Sequence, residues 1–172
     1  MDDLVTERLV IHRLSIGEAG GVTARQPVGD ARWAPGYPTE GDVSAAKLFL
    51  RCCAEGDGAR HPGVFEIRRR EDGCAIGGIG FHGPADEDGA VTIGYGLVPS
   101  ARGRGYASEA LRALLAFARD TGITRVKGDA DHDNSPSQHV MAAAGMRLAG
   151  EDEQVRYYEM VWTDTSAVTG PA

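Results

Sequence analysis

The residues best able to do chemistry stand in one run, Arg102-Gly103-Arg104-Gly105-Tyr106-Ala107. It lies between an apolar, β-branched stretch, Val91 to Val98, and a segment whose apolar residues recur at helical spacing. A loop that opens a helix presents four unpaired N–H groups and about half a positive charge, and the two together attract phosphate. Glycines at 103 and 105 let the backbone approach an anion closely, Ala107 keeps the first turn clear, and two arginines add positive charge. One reading is a pyrophosphate cradle. The other is an ordinary strand-to-helix turn with solvated arginines, and glycine and arginine alone leave both open. Further on, Asn134-Ser135-Pro136-Ser137-Gln138 gathers hydroxyls and carboxamides at a second helix start, where such residues are expected as caps.

Several elements must hold these runs. Val91 to Val98 reads as a buried strand that Pro99, lacking an N–H, brings to an end. Ala107, Ala110, Leu111, Leu114, Leu115 and Ala118 fall three and four apart, which predicts a helix buried on one face and stopped at Thr121-Gly122. Upstream, residues 7–14 predict a strand, and residues 15–26, with glycines at 17, 20 and 21, a weak helix. Trp33 to Pro38, WAPGYP, is too rich in proline and glycine for regular structure. A helix with Asp42 as its cap is expected over about 42–54. Residues 63–82 predict a hairpin turning at Glu71-Asp72-Gly73. Downstream, residues 125–134 alternate as a strand with Val126, Gly128, Ala130, His132 and Asn134 on one side. Ser135 and Gln138 have capping-box spacing for a short helix ending at Gly145, and residues 147–162 predict two closing strands. The small polar tail, 163–172, is expected to be disordered.

Arg-x-x-Gly-x-Ala between a strand and an amphipathic helix resembles the acetyl-CoA signature of the GNAT superfamily of N-acetyltransferases. The longer string GYGLVPSARGRGYASEAL resembles the branch that holds the ribosomal-protein N-terminal (Rim-type) acetyltransferases, and NSPSQHVMAAAGM resembles that family's Asn-x-x-Ser helix start. The resemblance spans most of residues 7–162. It implies an α/β fold with a mixed, largely antiparallel sheet of about six to seven strands flanked by about four helices. It implies acetyl-CoA as cofactor, held by backbone at Leu97, Val98 and Gly103 through Ala107, with Arg102 and Arg104 beside it, and with Asn134 and Ser137 near its sulfur and pantetheine. Val98 is the N–H expected to face the thioester oxygen. Trp33 and Tyr37 border the acceptor channel by the same resemblance.

The chain departs from the family where catalytic residues are common: Val91 and Thr92 stand where many relatives carry a glutamate, and Met141 where many carry a tyrosine. Ser137 is then the remaining hydroxyl near the leaving sulfur and is taken as the catalytic candidate, orienting or protonating it. His132 is a possible relay, and no base is identified. Acceptors open to it are a protein or peptide N-terminal α-amine, a lysine, a polyamine or an aminoglycoside. A regulatory module that holds acyl-CoA without turnover, and a nucleotide-phosphate protein using the same loop, are the alternatives.

Composition narrows the field. With 172 residues, one domain over 1–162 is expected. A formal charge of −7 argues against nucleic acid as the main partner. No apolar run suits a bilayer, and the acidic N-terminus is unlike a signal peptide, so a cytoplasmic monomer or homodimer is expected. Three cysteines, two of them adjacent, form neither a disulfide framework nor a zinc spacing with the histidines. Gly78-x-Gly80-x-x-Gly83 matches the dinucleotide fingerprint in letters but runs into Pro84 and an acidic loop instead of a helix, so it is rejected.

Overall fold

The computed structural model describes residues 3–162, and the tail at 163–172 lies outside them. In chain order the elements are β1 (Leu4–Val5), β2 (Leu9–Arg13), α1 (Ile16–Ala24), β3 (Arg32–Trp33), α2 (Glu40–Ala54), β4 (Val64–Arg69) and β5 (Cys74–Phe81). They continue with β6 (Ala90–Leu97), a 3₁₀ turn at Pro99–Ala101, α3 (Tyr106–Asp120), β7 (Arg125–Asp131), α4 (Ser135–Ala143), β8 (Arg147–Glu151) and β9 (Val155–Val161). The sheet runs β1-β2-β4-β5-β6-β7-β9-β8, with β3 added beside β5. Pairing is antiparallel except at β3–β5 and β6–β7. This is the expected α/β architecture with four helices. Among the described residues the strands number nine, because β1 and β3, of two residues each, carry no periodicity that marks a strand.

Alternation along the strands decides which residues meet which helix. Phe65, Ile67, Ile79, Phe81, Val91 and Ile93 join Ala110, Leu111, Leu114, Leu115 and Ala118 of α3 in the larger core. Val64, one residue out of phase with Phe65, joins Val22 of α1 and Val43, Ala46 and Phe49 of α2 in a smaller core on the opposite face. Leu111 and Leu114 are wholly buried, so truncating either to alanine costs about 2–5 kcal/mol.

Helix starts follow local hydrogen bonding. The glycine-rich α1 holds because Ser15 and Glu18 form a complete capping box. Helix α2 begins two residues before the expected start: Thr39 is the cap, and Asp42 sits in the first turn and closes the box from the other side. Helix α4 is capped by Asn134, which accepts from the Ser137 N–H, and not by Ser135. Gln138 instead donates to the carbonyls of Asp131 and His132, because the strand end lies within its reach.

Candidate functional site

The run of N–H groups between β6 and α3 is the first component. Gly103 and Gly105 both adopt positive φ, 77° and 81°, which turns the chain sharply into the helix. Helices α1, α2 and α4 all begin under a side-chain cap, whereas α3 has none. Among the described residues, no carbonyl or side chain accepts from the N–H of Gly103, Arg104, Gly105, Tyr106, Ala107 or Ser108; the first helical bond is Glu109 N–H to Gly105 O. Residues 102–105 are exposed, so these donors are turned to solvent.

The two arginines of the loop do different things. Arg102 folds back, its Nε donating to the Leu97 carbonyl at 3.1 Å. Arg104 offers its carbonyl to Arg8, whose Nη1 lies 2.8 Å away. Arg8 immediately precedes β2 and also binds Glu109 through Nε at 2.8 Å, with its guanidinium 4.5 Å from the centre of the Tyr106 ring. Burial alone would raise the Glu109 pKa, but the bonds from Thr6 and Arg8 together hold it lowered. Nothing in the local sequence around Arg8 announces this role, which exists only because β2 packs beside α3.

The second component is a gap in the sheet. Strands β6 and β7 pair only from Ala90 to Thr92 against Arg125 to Lys127, although both continue well beyond. Across β6 and β5, Val98 donates to Ile76 O at 2.8 Å and His82 donates to Thr92 O at 2.9 Å. Even-numbered residues of this stretch therefore turn their backbone groups toward β5, and Tyr95 and Leu97 turn theirs toward the gap. This corrects the role expected for Val98: its N–H is spent inside the sheet, and the strand-end amide facing outward is that of Leu97. Met141 is fully buried, its sulfur against Gly128, and serves as core beneath the gap.

On the α4 side, Asn134 Oδ1 accepts from the Ser137 backbone N–H at 3.1 Å, so its carboxamide oxygen is occupied by capping. Ser137 Oγ lies 2.7 Å from the Tyr95 hydroxyl, which also donates to the Ser137 carbonyl at 3.1 Å. Burial is the main cause that raises the Tyr95 pKa, with Tyr158 adding to it and the Ser137 bond opposing it. Tyr95 is the site residue that sequence reasoning missed. It was absorbed into a strand pattern, where a tyrosine needs no further reason. His132 is tied to the β8–β9 turn, its Nε2 donating to the Asp152 carbonyl at 2.6 Å.

The WAPGYP loop meets this assembly at the end of β6, with Gly36 against Val98. Trp33 and Tyr37 pack edge to face, ring centres 5.3 Å apart. Tyr37 is buried and lines a cavity of about 190 Å³ between α2 and the β5–β6 hairpin; Trp33 stands behind it. Asp42 lines the same cavity, its pKa raised by burial first and by the nearby Glu66 charge, against the lowering effect of the Thr39 bonds. Cys52, Cys53 and Cys74 are free, and no group of residues that could hold a metal occurs among the described residues. No helix among them is long and apolar enough to cross a membrane.

Residues 8–147 match the family model described as acetyltransferase (GNAT) domain. The uncharacterized N-acetyltransferase YjdG of Bacillus subtilis (strain 168) is 28% identical over 131 residues, covering 72% of this chain and 77% of that protein. In fold, the chain is similar to the ribosomal-protein-S5-alanine acetyltransferase of Vibrio fischeri, with a TM-score of 0.69 at 15% identity over 94% of this chain and 97% of the other. It is similar also to RimL, a ribosomal L7/L12 alpha-N-protein acetyltransferase solved in complex with coenzyme A, with a TM-score of 0.66 at 18% identity over 93% and 98%.

Proposed function

The chain belongs to the acetyltransferase (GNAT) family, and on that premise we propose that it transfers the acetyl group of acetyl-CoA to a primary amine. The observation that carries this reading is the unbroken run of six unengaged N–H groups, Gly103 to Ser108, at an uncapped helix start beside the open edge of β6. Such a run suits a pyrophosphate, and a carboxylate-free loop flanked by Arg8, Arg102 and Arg104 suits its charge. Acetyl-CoA supplies an activated acetyl thioester. Gly103 through Ala107 are the residues that would hold its phosphates, and the outward backbone of Tyr95 and Leu97 is the edge available to its pantetheine arm. The Leu97 N–H, rather than that of Val98, is then the donor for a developing oxyanion.

The Tyr95 hydroxyl holds a proton beside the gap, positioned by Ser137 Oγ. It takes the part of proton donor to a departing sulfur, which the sequence had left to Ser137 alone, and a phenol suits that task better than an aliphatic hydroxyl. On the amine side, an α-amine with a pKa of about 7.8 is more than about a tenth neutral at pH 7, whereas a lysine amine at about 10.4 is neutral in roughly one molecule in a few thousand. A protein or peptide N-terminus therefore asks least of a site without an identified strong base, and it is the acceptor class we favour.

Coenzyme A release from acetyl-CoA, followed with a thiol reagent across a panel of α-amines, lysine peptides, polyamines and aminoglycosides, tests this. Turnover with an α-amine is expected. Tight acetyl-CoA binding with no coenzyme A released across the panel would instead favour a regulatory acyl-CoA module, a reading that buried Met141 in the place of a tyrosine keeps specific.

A further inference from the structure

Where α2 covers the sheet, β5 and β6 present no side chains at Gly78, Gly80, Gly94 and Gly96, and these bare positions floor the cavity of about 190 Å³. The glycines are there for different reasons. A Cβ on Gly78 would collide with Asp42 Oδ1, and one on Gly94 would stand 2.5 Å from His82 Nε2. One on Gly96 would meet nothing within 4 Å. Gly78 thus brings Asp42 Oδ1 down onto the floor, and Gly96 leaves space beside it empty.

The two oxygens of Asp42 are unequal. Oδ2 accepts from the Thr39 N–H and from Thr39 Oγ, each at 2.8 Å. Oδ1 accepts nothing among the described residues, and Asp42 has no ion-pair partner among them. The neighbouring carboxylate, Glu66, is already compensated by Arg68 at 2.8 Å. A half-buried carboxylate oxygen with unspent lone pairs beside empty space is matched by a cationic N–H donor. Leu14, Val22, Ala45 and Val64 supply apolar wall, Tyr37, Thr39 and His82 add neutral polar groups, and Asp42 is the one carboxylate of the lining. A cavity of about 150 Å³ accommodates benzene, so this one holds a body only slightly larger.

We propose that this cavity is the acceptor pocket, and that it takes a compact primary amine: one ammonium bound by Asp42 Oδ1, and one short uncharged apolar body. The inference rests on the acetyltransferase reading and narrows its substrate. A second ammonium inside would be left buried without a counter-charge, and the linked rings of an aminoglycoside exceed a space only slightly larger than benzene needs. Polyamines and aminoglycosides are therefore poor occupants. A free small amine and the first residue of a peptide present the same chemistry.

Isobutylamine serves as the probe, titrated by calorimetry into the full chain with and without coenzyme A. Wild-type protein is expected to bind it more tightly than spermidine or kanamycin. Asp42→Asn, which keeps the oxygen that caps Thr39, should weaken it at least tenfold. Gly96→Leu, which enters the open space without strain, should abolish it, and both variants should bind coenzyme A within threefold of wild type. Equal isobutylamine affinity in all three proteins overturns the proposal, as does tighter binding of spermidine. Gly96→Leu alone decides the matter should Asp42→Asn fail to fold. An alanine-initiated tripeptide that binds as well as isobutylamine assigns the pocket to peptide N-termini; one that does not bind assigns it to free amines. Loss of coenzyme binding in wild-type protein with amine binding intact would overturn the transferase reading and leave the pocket standing.

Discussion

Replacing Tyr95 with phenylalanine removes one oxygen atom and separates two accounts of that residue. The hydroxyl makes two contacts, to Ser137 Oγ at 2.7 Å and to the Ser137 carbonyl at 3.1 Å, and the ring itself is packed against the core. Each such bond contributes about 0.5–1.5 kcal/mol net, so the variant should lose about 1–3 kcal/mol of stability. In a chain of this size that is a fall of roughly 2–12 °C in melting temperature. If the hydroxyl only ties β6 to α4, turnover of the folded variant changes by a small factor. If it donates the proton taken by the leaving sulfur, the loss is that of a general acid, about 100- to 10,000-fold, or roughly 3–5 kcal/mol of barrier. The two outcomes differ by more than any effect of looser packing. The assay is coenzyme A release at saturating acetyl-CoA and amine, below the melting range of both proteins. Ser137→Ala, which leaves the phenol in place but unpositioned, should lose about tenfold, less than the tyrosine variant. Because burial raises the Tyr95 pKa, the high-pH fall in the wild-type rate should lie above that of an ordinary phenol. Turnover within threefold of wild type in Tyr95→Phe, at the reduced melting temperature, would refute the reasoning and return Tyr95 to the fold.

The other predictions concern the cradle and the buried histidine. Gly105→Asp should weaken acetyl-CoA binding at least about a hundredfold, or roughly 3 kcal/mol, by setting a carboxylate against phosphate and straining a turn that needs positive φ, with Gly105→Ala as the control for strain alone; unchanged affinity of the folded Asp variant by calorimetry would count against the cradle. Arg8→Ala should lower the melting temperature by about 2–4 °C, for an exposed pair and a ring contact worth about 1 kcal/mol, and weaken acetyl-CoA about fivefold by loosening the loop; an unchanged loop affinity would separate Arg8 from the site. His61 is buried with Nδ1 accepting from the Gly63 N–H, and burial, then the Arg13 charge and His82, push its pKa down to about 4. The unfolded chain, with a histidine near 6.5, binds the proton more readily, so stability is present above about pH 6.5 and is lost as pH falls to 4, by at most about 3 kcal/mol. Urea unfolding of wild type and His61→Asn over that range should show a shallower pH slope in the variant; parallel slopes would acquit His61.

Much of the fold was legible because its signals are local. The helix at α3 announces itself through apolar residues at a fixed spacing, and β7 through alternation so regular that its burial follows the sequence residue by residue. The loop between β6 and α3 was legible for a related reason, since glycine at positive φ leaves a trace in the letters themselves. What local reasoning missed was settled by competition between neighbours. Thr39 and Asn134 took the capping positions given to Asp42 and Ser135, because hydrogen-bond geometry one turn away decided between equally good residue types. The strands of two residues have no periodicity to detect. They exist because longer strands offer them an edge.

The site divides along the same line. Val98 and Leu97 are adjacent and both apolar, yet only one can turn its amide outward, and which one depends on the register with β5, fixed by pairs such as Gly77 with Leu97. Register is a property of two segments, so no inspection of one segment yields it. The same argument explains the glycines of β5. Read along the chain, Gly78 and Gly80 spell a phosphate-binding fingerprint and fail it for want of a helix. Read across the sheet, they lie opposite Gly96 and Gly94, and the four together strip one face of the hairpin of side chains where α2 descends. The other face of the same two strands carries Ile79, Phe81, Ile93 and Tyr95, which pack toward α3 and α4. A single alternation thus builds core on one side and empty space on the other, and the space falls where Asp42 has an oxygen to spare.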